Sequence, residues 1–183
     1  MRPSYVIEKT KKEQRTAVTS INDDASVKRR IVRQSATAHL IETYFHSGPG
    51  YEPFLIRKGW QVAQLNFLPE QGATKIIRVE RHANTDEVFF LFRGNSILVA
   101  AEEGVAGLRF KAERMKAGVT YNIPAGVWHN IAMLPGDLVI IVEKDNTHRA
   151  DVEYRNFTRR AQTSWTRTLS RLQKDSRSVT KKL

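Results

Sequence analysis

From residue 60 to residue 143 the chain alternates short apolar runs with turn-forming residues. Residues 60–67 (WQVAQLNF) alternate around Val62 and Leu65. Similar runs follow at 75–80, 87–93, 96–101, 107–113, 119–123, 129–133 and 138–143. Each is rich in Val, Ile, Phe or Tyr and is bounded by Gly, Pro, Asn or Asp. Side chains alternate across a strand, so short runs at near-regular spacing predict seven or eight strands closed into a sandwich or barrel. Residues 92–96 (FRGNS) predict a tight hairpin, with Gly94 free to take positive φ. Residues 134–137 (LPGD) predict a second turn, with Pro-Gly suited to type II geometry.

The flanks have a different texture. Residues 1–26 are polar, with lysines at 9, 11 and 12 and no sustained period, and read as extended or mobile. Residues 27–45 predict a ragged helix around Ile31, Leu40 and Phe45. The stretch 46–53 (HSGPGYEP) holds two Gly and two Pro and breaks structure. Beyond residue 156, Phe157, Ala161, Trp165, Leu169 and Leu172 recur every three or four residues, with Arg159, Arg160, Arg167, Arg171 and Lys174 between them. That spacing predicts an amphipathic basic helix, which docks on the barrel, on a second subunit or on an anionic surface. The expected layout is a basic extension over 1–46, a barrel over 47–150 and a basic helical tail over 151–183.

Charge changes the picture only once it is divided along the chain. The net charge is +11. Residues 1–46 hold 9 Lys/Arg against 5 Asp/Glu, residues 47–150 hold 12 against 11, and residues 151–183 hold 9 against 3. The middle is nearly neutral and the ends are basic. A nucleic-acid-binding domain is expected to carry its charge on a folded face, so basic ends read first as solubilising tails. The longest apolar runs, 88–92 and 138–142, fall well short of the roughly 18 residues of a membrane-spanning helix. No apolar segment follows the N-terminal charges, so no secretory signal and no membrane insertion are expected. Cysteine is absent, which excludes disulfides and thiolate metal sites. The protein therefore reads as cytoplasmic.

Two strings within the strand-rich region carry candidate chemistry. In the second, Gly118 is followed by five residues, then Pro124-Ala125-Gly126, two residues and His129. Pro124 and Gly126 suit a tight bend, after which the next strand aims His129 inward. In the first, His82 is followed by four residues and Glu87, then by six residues and Gly94. A carboxylate opening the apolar run 87–93 is costly unless it is paired or liganded. Glu80 and His82 share one face of a strand, because side chains alternate. Taken together, the two strings resemble the paired motifs of the cupin superfamily across about residues 55–145. The first motif carries Glu80 where cupins usually have a histidine, and the second ends on Met133 in place of an asparagine.

The resemblance implies a mainly β fold, a double-stranded β-helix or jelly-roll barrel. It implies that His82, Glu87 and His129 meet inside the barrel mouth as ligands for a divalent metal such as Zn, Fe, Mn or Ni. Imidazole and carboxylate donors suit those ions, and three of them leave positions open for water or substrate. Glu80, Tyr121 and Glu143 are the catalytic candidates. The implied activity is that of a small metal-dependent enzyme, an isomerase, lyase or oxygenase acting on a polar or anionic metabolite held in the barrel. A non-catalytic binding or adaptor module is the alternative, and weak nucleic-acid association through the basic tails is a third reading. Exposed strand edges make a homodimer an expected partner state.

Overall fold

The computed structural model describes residues 40–105 and 107–180, with side chains through Leu172. Ten strands are present among the described residues: β1 (Gly50–Arg57), β2 (Trp60–Asn66), β3 (Arg78–Arg81), β4 (Glu87–Arg93), β5 (Ile97–Gly104), β6 (Gly107–Arg114), β7 (Thr120–Ile123), β8 (Trp128–Ala132), β9 (Leu138–Glu143) and β10 (Glu153–Asn156). A short helical turn, α1 (Thr147–Ala150), precedes β10, and a long helix, α2 (Arg159–Thr180), follows it. The strands form two five-stranded antiparallel sheets, ordered β1-β2-β9-β4-β7 and β10-β3-β8-β5-β6. Apart from the β1–β2 and β5–β6 hairpins, successive strands switch between the sheets, which makes the fold a double-stranded β-helix, or jelly roll.

The inward rows of four strands explain where the core ends and the site begins. On β2 the row is Gln61, Ala63, Leu65; on β4 it is Glu87, Phe89, Leu91. On β9 it is Glu143, Ile141, Val139, and on β8 it is His129, Ile131, continuing into Met133. The apolar members pack together with Leu98, Met115 and Ile123 as the main core. The polar members all fall at the same end, because the register sets Gln61 opposite Glu143, and Val88, next to Glu87, opposite Val142. One mouth of the barrel is thus polar and the interior beneath it is apolar.

Three turns join the two sheets, and that at 134–137 forms as read, with Asp137 N–H bonded to the Leu134 carbonyl at 3.0 Å. Residues 92–96 and 134–137, read as hairpin and turn, and the Pro124–Gly126 bend all carry the chain from one sheet to the other. The predicted hairpin at 92–96 is an inter-sheet corner, since β4 and β5 belong to different sheets. Asp137 locks two of these corners together. Its carboxylate accepts from Asn95 N–H at 3.0 Å, Ser96 Oγ–H at 2.9 Å and Leu134 N–H at 3.0 Å. Gly94 has φ +105°, and a Cβ there would overlap Asp137 Oδ1. Positive φ and close approach together require glycine at that position.

Two strands went unread in the sequence. β1 contains Pro53 and follows a Gly-Pro-Gly run, yet it forms because it lies at a sheet edge, where a missing N–H is tolerated. A register irregularity between Pro53 and Leu55 absorbs the strain. β10 is short and polar and pairs with β3 at the edge of the second sheet, so the barrel extends past residue 150. The extension over 1–26 and most of the helix expected over 27–45 lie outside the described residues. Residues 41–46 carry no helix; Tyr44 stacks on Phe54, and the His46 carbonyl accepts from Gln64 Nε2 and Asn66 Nδ2.

The tail helix docks on the barrel. Trp165 is fully buried and Leu169 nearly so, packed on Ile76, Ile97, Val99 and Ala132 with Phe110 and Phe157 alongside. Trp165 donates Nε1–H to the Ala73 carbonyl at 2.8 Å, so its one polar atom is satisfied in the interior. Arg159, Arg160, Arg167 and Arg171 face solvent, as the helical spacing predicts. Among the described residues no helix is long and apolar enough to cross a membrane.

Candidate metal centre

The polar mouth opens a cavity of about 490 Å³. That volume lies within the roughly 300–1,000 Å³ usual for small-molecule sites. His82, Glu87 and His129 meet on its wall, and one ligand atom from each lies within 4.8 Å of the others. All three residues are buried. Glu87 Oε2 stands 2.7 Å from His129 Nε2 and 3.4 Å from His82 Nε2.

Backbone carbonyls decide which imidazole nitrogens point at the cavity. His82 Nδ1 lies 2.5 Å from the Asp151 carbonyl, and His129 Nδ1 lies 2.9 Å from the Val127 carbonyl. A carbonyl only accepts, so each Nδ1 carries a proton and each Nε2 is left to face Glu87. Metal-binding histidines are held in the same way, by an outer N–H bonded to a carbonyl or carboxylate. The donor set fits a divalent metal: two oriented Nε2 atoms and one carboxylate oxygen converge on one space.

The loops that carry these residues are stitched to one another. Asp151 accepts from the N–H groups of Ala83 (2.9 Å) and Asn84 (2.7 Å), which fixes the turn just after His82. Asp86 accepts from Ala125 N–H (3.0 Å) and Asn122 Nδ2 (2.9 Å), which ties the residue before Glu87 to the Pro124–Gly126 corner. Gly126 N–H donates to the His82 carbonyl at 2.6 Å. The two sequence strings are therefore one structural unit.

Electrostatics couples the three groups. Burial disfavours charge on all of them, yet each stabilises the charged form of its neighbour. Burial opposes the His82 imidazolium, but the hydrogen bond and charge of Glu87 hold its pKa up at about 9. The same competition raises the pKa of His129. Burial pushes the Glu87 carboxyl up, and the two imidazoles override it and pull it down to about 2.

Further polar groups line the same cavity. Glu143 accepts from Tyr51 Oη–H and from Gln61 Nε2 at 2.9 Å; Gln61 Nε2 also lies 2.9 Å from Tyr51 Oη and 3.3 Å from His148 Nδ1. Burial and the nearby charge of Glu87 raise the Glu143 pKa, and burial with Glu143 alongside raises that of the Tyr51 phenol. Glu80 lies across the β3–β8 ladder from His129 and across the β3–β10 ladder from Tyr154. Burial raises the Glu80 pKa against the pull of His129.

The structure thus gathers His82, Glu87, His129, Glu80 and Glu143 around one cavity. Tyr121 is not among the lining residues. It points inward one step below the mouth, opposite Phe89, packs against the main core and accepts from Lys116 N–H at 2.9 Å. Arg81 and Arg93, which flank the first string, are also elsewhere: Arg81 pairs with Glu153 and lies over Trp128, and Arg93 donates to the Gly136 carbonyl. Tyr51, His148, Asp151 and Tyr154 were not read as site residues. Each is brought to the cavity or its rim by strand pairing or by the turn after β9, outside both sequence strings.

Both strings sit as the jelly-roll register requires, with His129 paired to β3 and Glu87 facing it from the other sheet. The fold is a cupin-type barrel. No protein-family model matches the chain, and no curated protein matches it. Among solved structures the chain is similar to KdgF from Halomonas sp., at 15% identity over 52% of this chain and 77% of that one, with a TM-score of 0.38. It is similar to a cupin-2 domain protein from Shewanella frigidimarina, at 22% identity over 56% of this chain and 85% of that one, with a TM-score of 0.39. A nucleoside dehydratase from Streptomyces is similar at 9% identity over 59% of this chain and 80% of its own, with a TM-score of 0.44. The strand order and the placement of the two strings carry the fold assignment by themselves.

Proposed function

We propose that the protein is a small metal-dependent enzyme that acts on a polar metabolite within the barrel. One observation carries the reading: His82 Nε2, His129 Nε2 and Glu87 Oε2 converge, with both outer Nδ1–H groups committed to carbonyls. A divalent ion on that set would act as a Lewis acid toward a substrate oxygen. His82, His129 and Glu87 orient that oxygen, and the apolar residues beneath, including Phe89 and Ile141, exclude water from its far side. Glu143, held by Tyr51 and Gln61, is placed to give or take a proton at the mouth. Glu80 flanks the triad as the ladder partner of His129 in the same sheet, so the cavity carries a second carboxyl for the same purpose. Two carboxyls beside a ligand triad favour proton transfer, as in isomerisation or elimination, among the reactions such a barrel supports.

A non-catalytic binding barrel is the second reading, favoured by Glu80. It stands where a third imidazole is usual in this fold, and it faces Tyr154 across the β3–β10 ladder and stays out of the triad's ligand cluster. Elemental analysis of the purified full chain, with zinc titration of the metal-stripped protein, tests the first reading. One ion per chain is expected, lost in His129→Ala while the fold persists. Failure of the full chain to take up zinc, iron, manganese or nickel would sink it.

A further inference from the structure

The cavity is unevenly charged from inside to rim. Its inner wall holds the carboxyls of Glu80, Glu87 and Glu143. Its rim holds Lys75 and Arg78, both exposed, with Glu70 as the acidic residue alongside. Among the described residues, no carboxylate lies within ion-pair distance of either cation. Other basic residues nearby are already engaged: Arg81 with Glu153, and Arg155 with Glu103. Arg78 is held against the wall by stacking, its guanidinium carbon 4.0 Å from the centre of the Tyr154 ring. Such stacking leaves the guanidinium edge and its N–H fork open to an incoming oxyanion.

We propose that Lys75 and Arg78 form the anion-binding end of the site, and that the ligand is a small hydroxylated oxyanion that enters with its hydroxyls first. The proposal rests on the reading of the cavity as a metabolite site and names the ligand's class and direction. Like charge keeps an oxyanion away from Glu80 and Glu143, whereas the charge of Glu87 is already met by the two imidazoles. Hydroxyl groups suit that inner wall, because they donate to its carboxylates. The rim offers a fork and a point charge, a pairing that serves carboxylate and phosphate alike. Arg78 sits beside Val79 on β3, the strand that leads to His82, so the anion end and the triad share one rigid element.

The test is calorimetric titration of the full zinc-loaded chain with three probes of similar size. Gluconate carries a carboxylate, sorbitol 6-phosphate a phosphate, and sorbitol no charge. Both anions are expected to bind at least tenfold more tightly than sorbitol, and the difference should shrink as salt rises, because the cations are exposed. The tighter of the two anions identifies the oxyanion. Lys75→Ala and Arg78→Ala together should cut anion affinity tenfold or more, with sorbitol affinity and zinc content unchanged. Equal binding of sorbitol and the anions, no binding of either anion, or anion affinity unchanged in the double variant would each overturn the proposal. Repeating the titration on metal-stripped protein separates the two readings. Zinc bound without anion preference rejects the rim proposal alone; anion preference without zinc uptake rejects the metal reading alone.

Discussion

His82 and Asp151 are joined twice over. The Asp151 carbonyl accepts from His82 Nδ1 at 2.5 Å, while the Asp151 carboxylate holds the N–H groups of the two residues after His82. A residue that follows the last strand of the main core thus sets the direction of an imidazole 69 positions earlier.

Asp151→Ala should therefore weaken metal binding without touching a ligand. Outer partners of metal-binding histidines are worth about 10- to 100-fold in affinity. The variant keeps the carbonyl but frees the loop that places it, so a drop toward the lower end is expected. Competition titration with a zinc chelator reads it, and wild-type affinity would show that the loop is held by other contacts.

The metal-free protein should have a bounded window of maximum stability. The His82 pKa is raised from 6.5 to about 9, so its contribution is full below pH 6.5 and is lost as pH rises through 9. The Glu87 pKa is lowered from 4.5 to about 2, so its contribution is full above pH 4.5 and is lost as pH falls through 2. Both belong to one His–Glu interaction and are not added together. Melting temperature in the presence of EDTA should thus plateau between about pH 4.5 and 6.5 and decline on both sides. In Glu87→Gln the decline on the alkaline side should flatten.

Trp165→Ala should destabilise the fold strongly. The side chain is fully buried beneath α2 and bonded to Ala73, and removing a buried Trp costs about 3–5 kcal/mol. Chemical denaturation measures this directly. A loss below about 1 kcal/mol would mean the helix is loosely held.

Gly94→Ala should destabilise by about 1–3 kcal/mol, since it adds strain at positive φ and displaces the Asp137 carboxylate. Asp137→Ala removes the obstacle but also leaves three donors unmet. The double variant should then cost less than the two single losses combined, a coupling that a double-mutant cycle reports.

The period-two pattern was enough to predict the strands that carry the core, because each strand's inward residues alternate whatever it pairs with. The resemblance of the two strings placed His82, Glu87 and His129 together facing inward, and the three-to-four-residue spacing predicted the apolar face of α2 from Trp165 and Leu169. Pairing is a different matter, since strands of the same pattern pair in many ways. Only the folded chain shows that the corner at Gly94 joins two sheets, that β10 completes the second sheet, and that Tyr121 belongs to the core. The same holds for Tyr51, His148, Tyr154 and Asp151, which reach the cavity through pairings and turns distant in sequence. Local sequence determined which face of each strand is buried, because that depends on alternation within a few residues. Tertiary structure decided what stands opposite each face, because that depends on contacts between residues as far apart as 51 and 143.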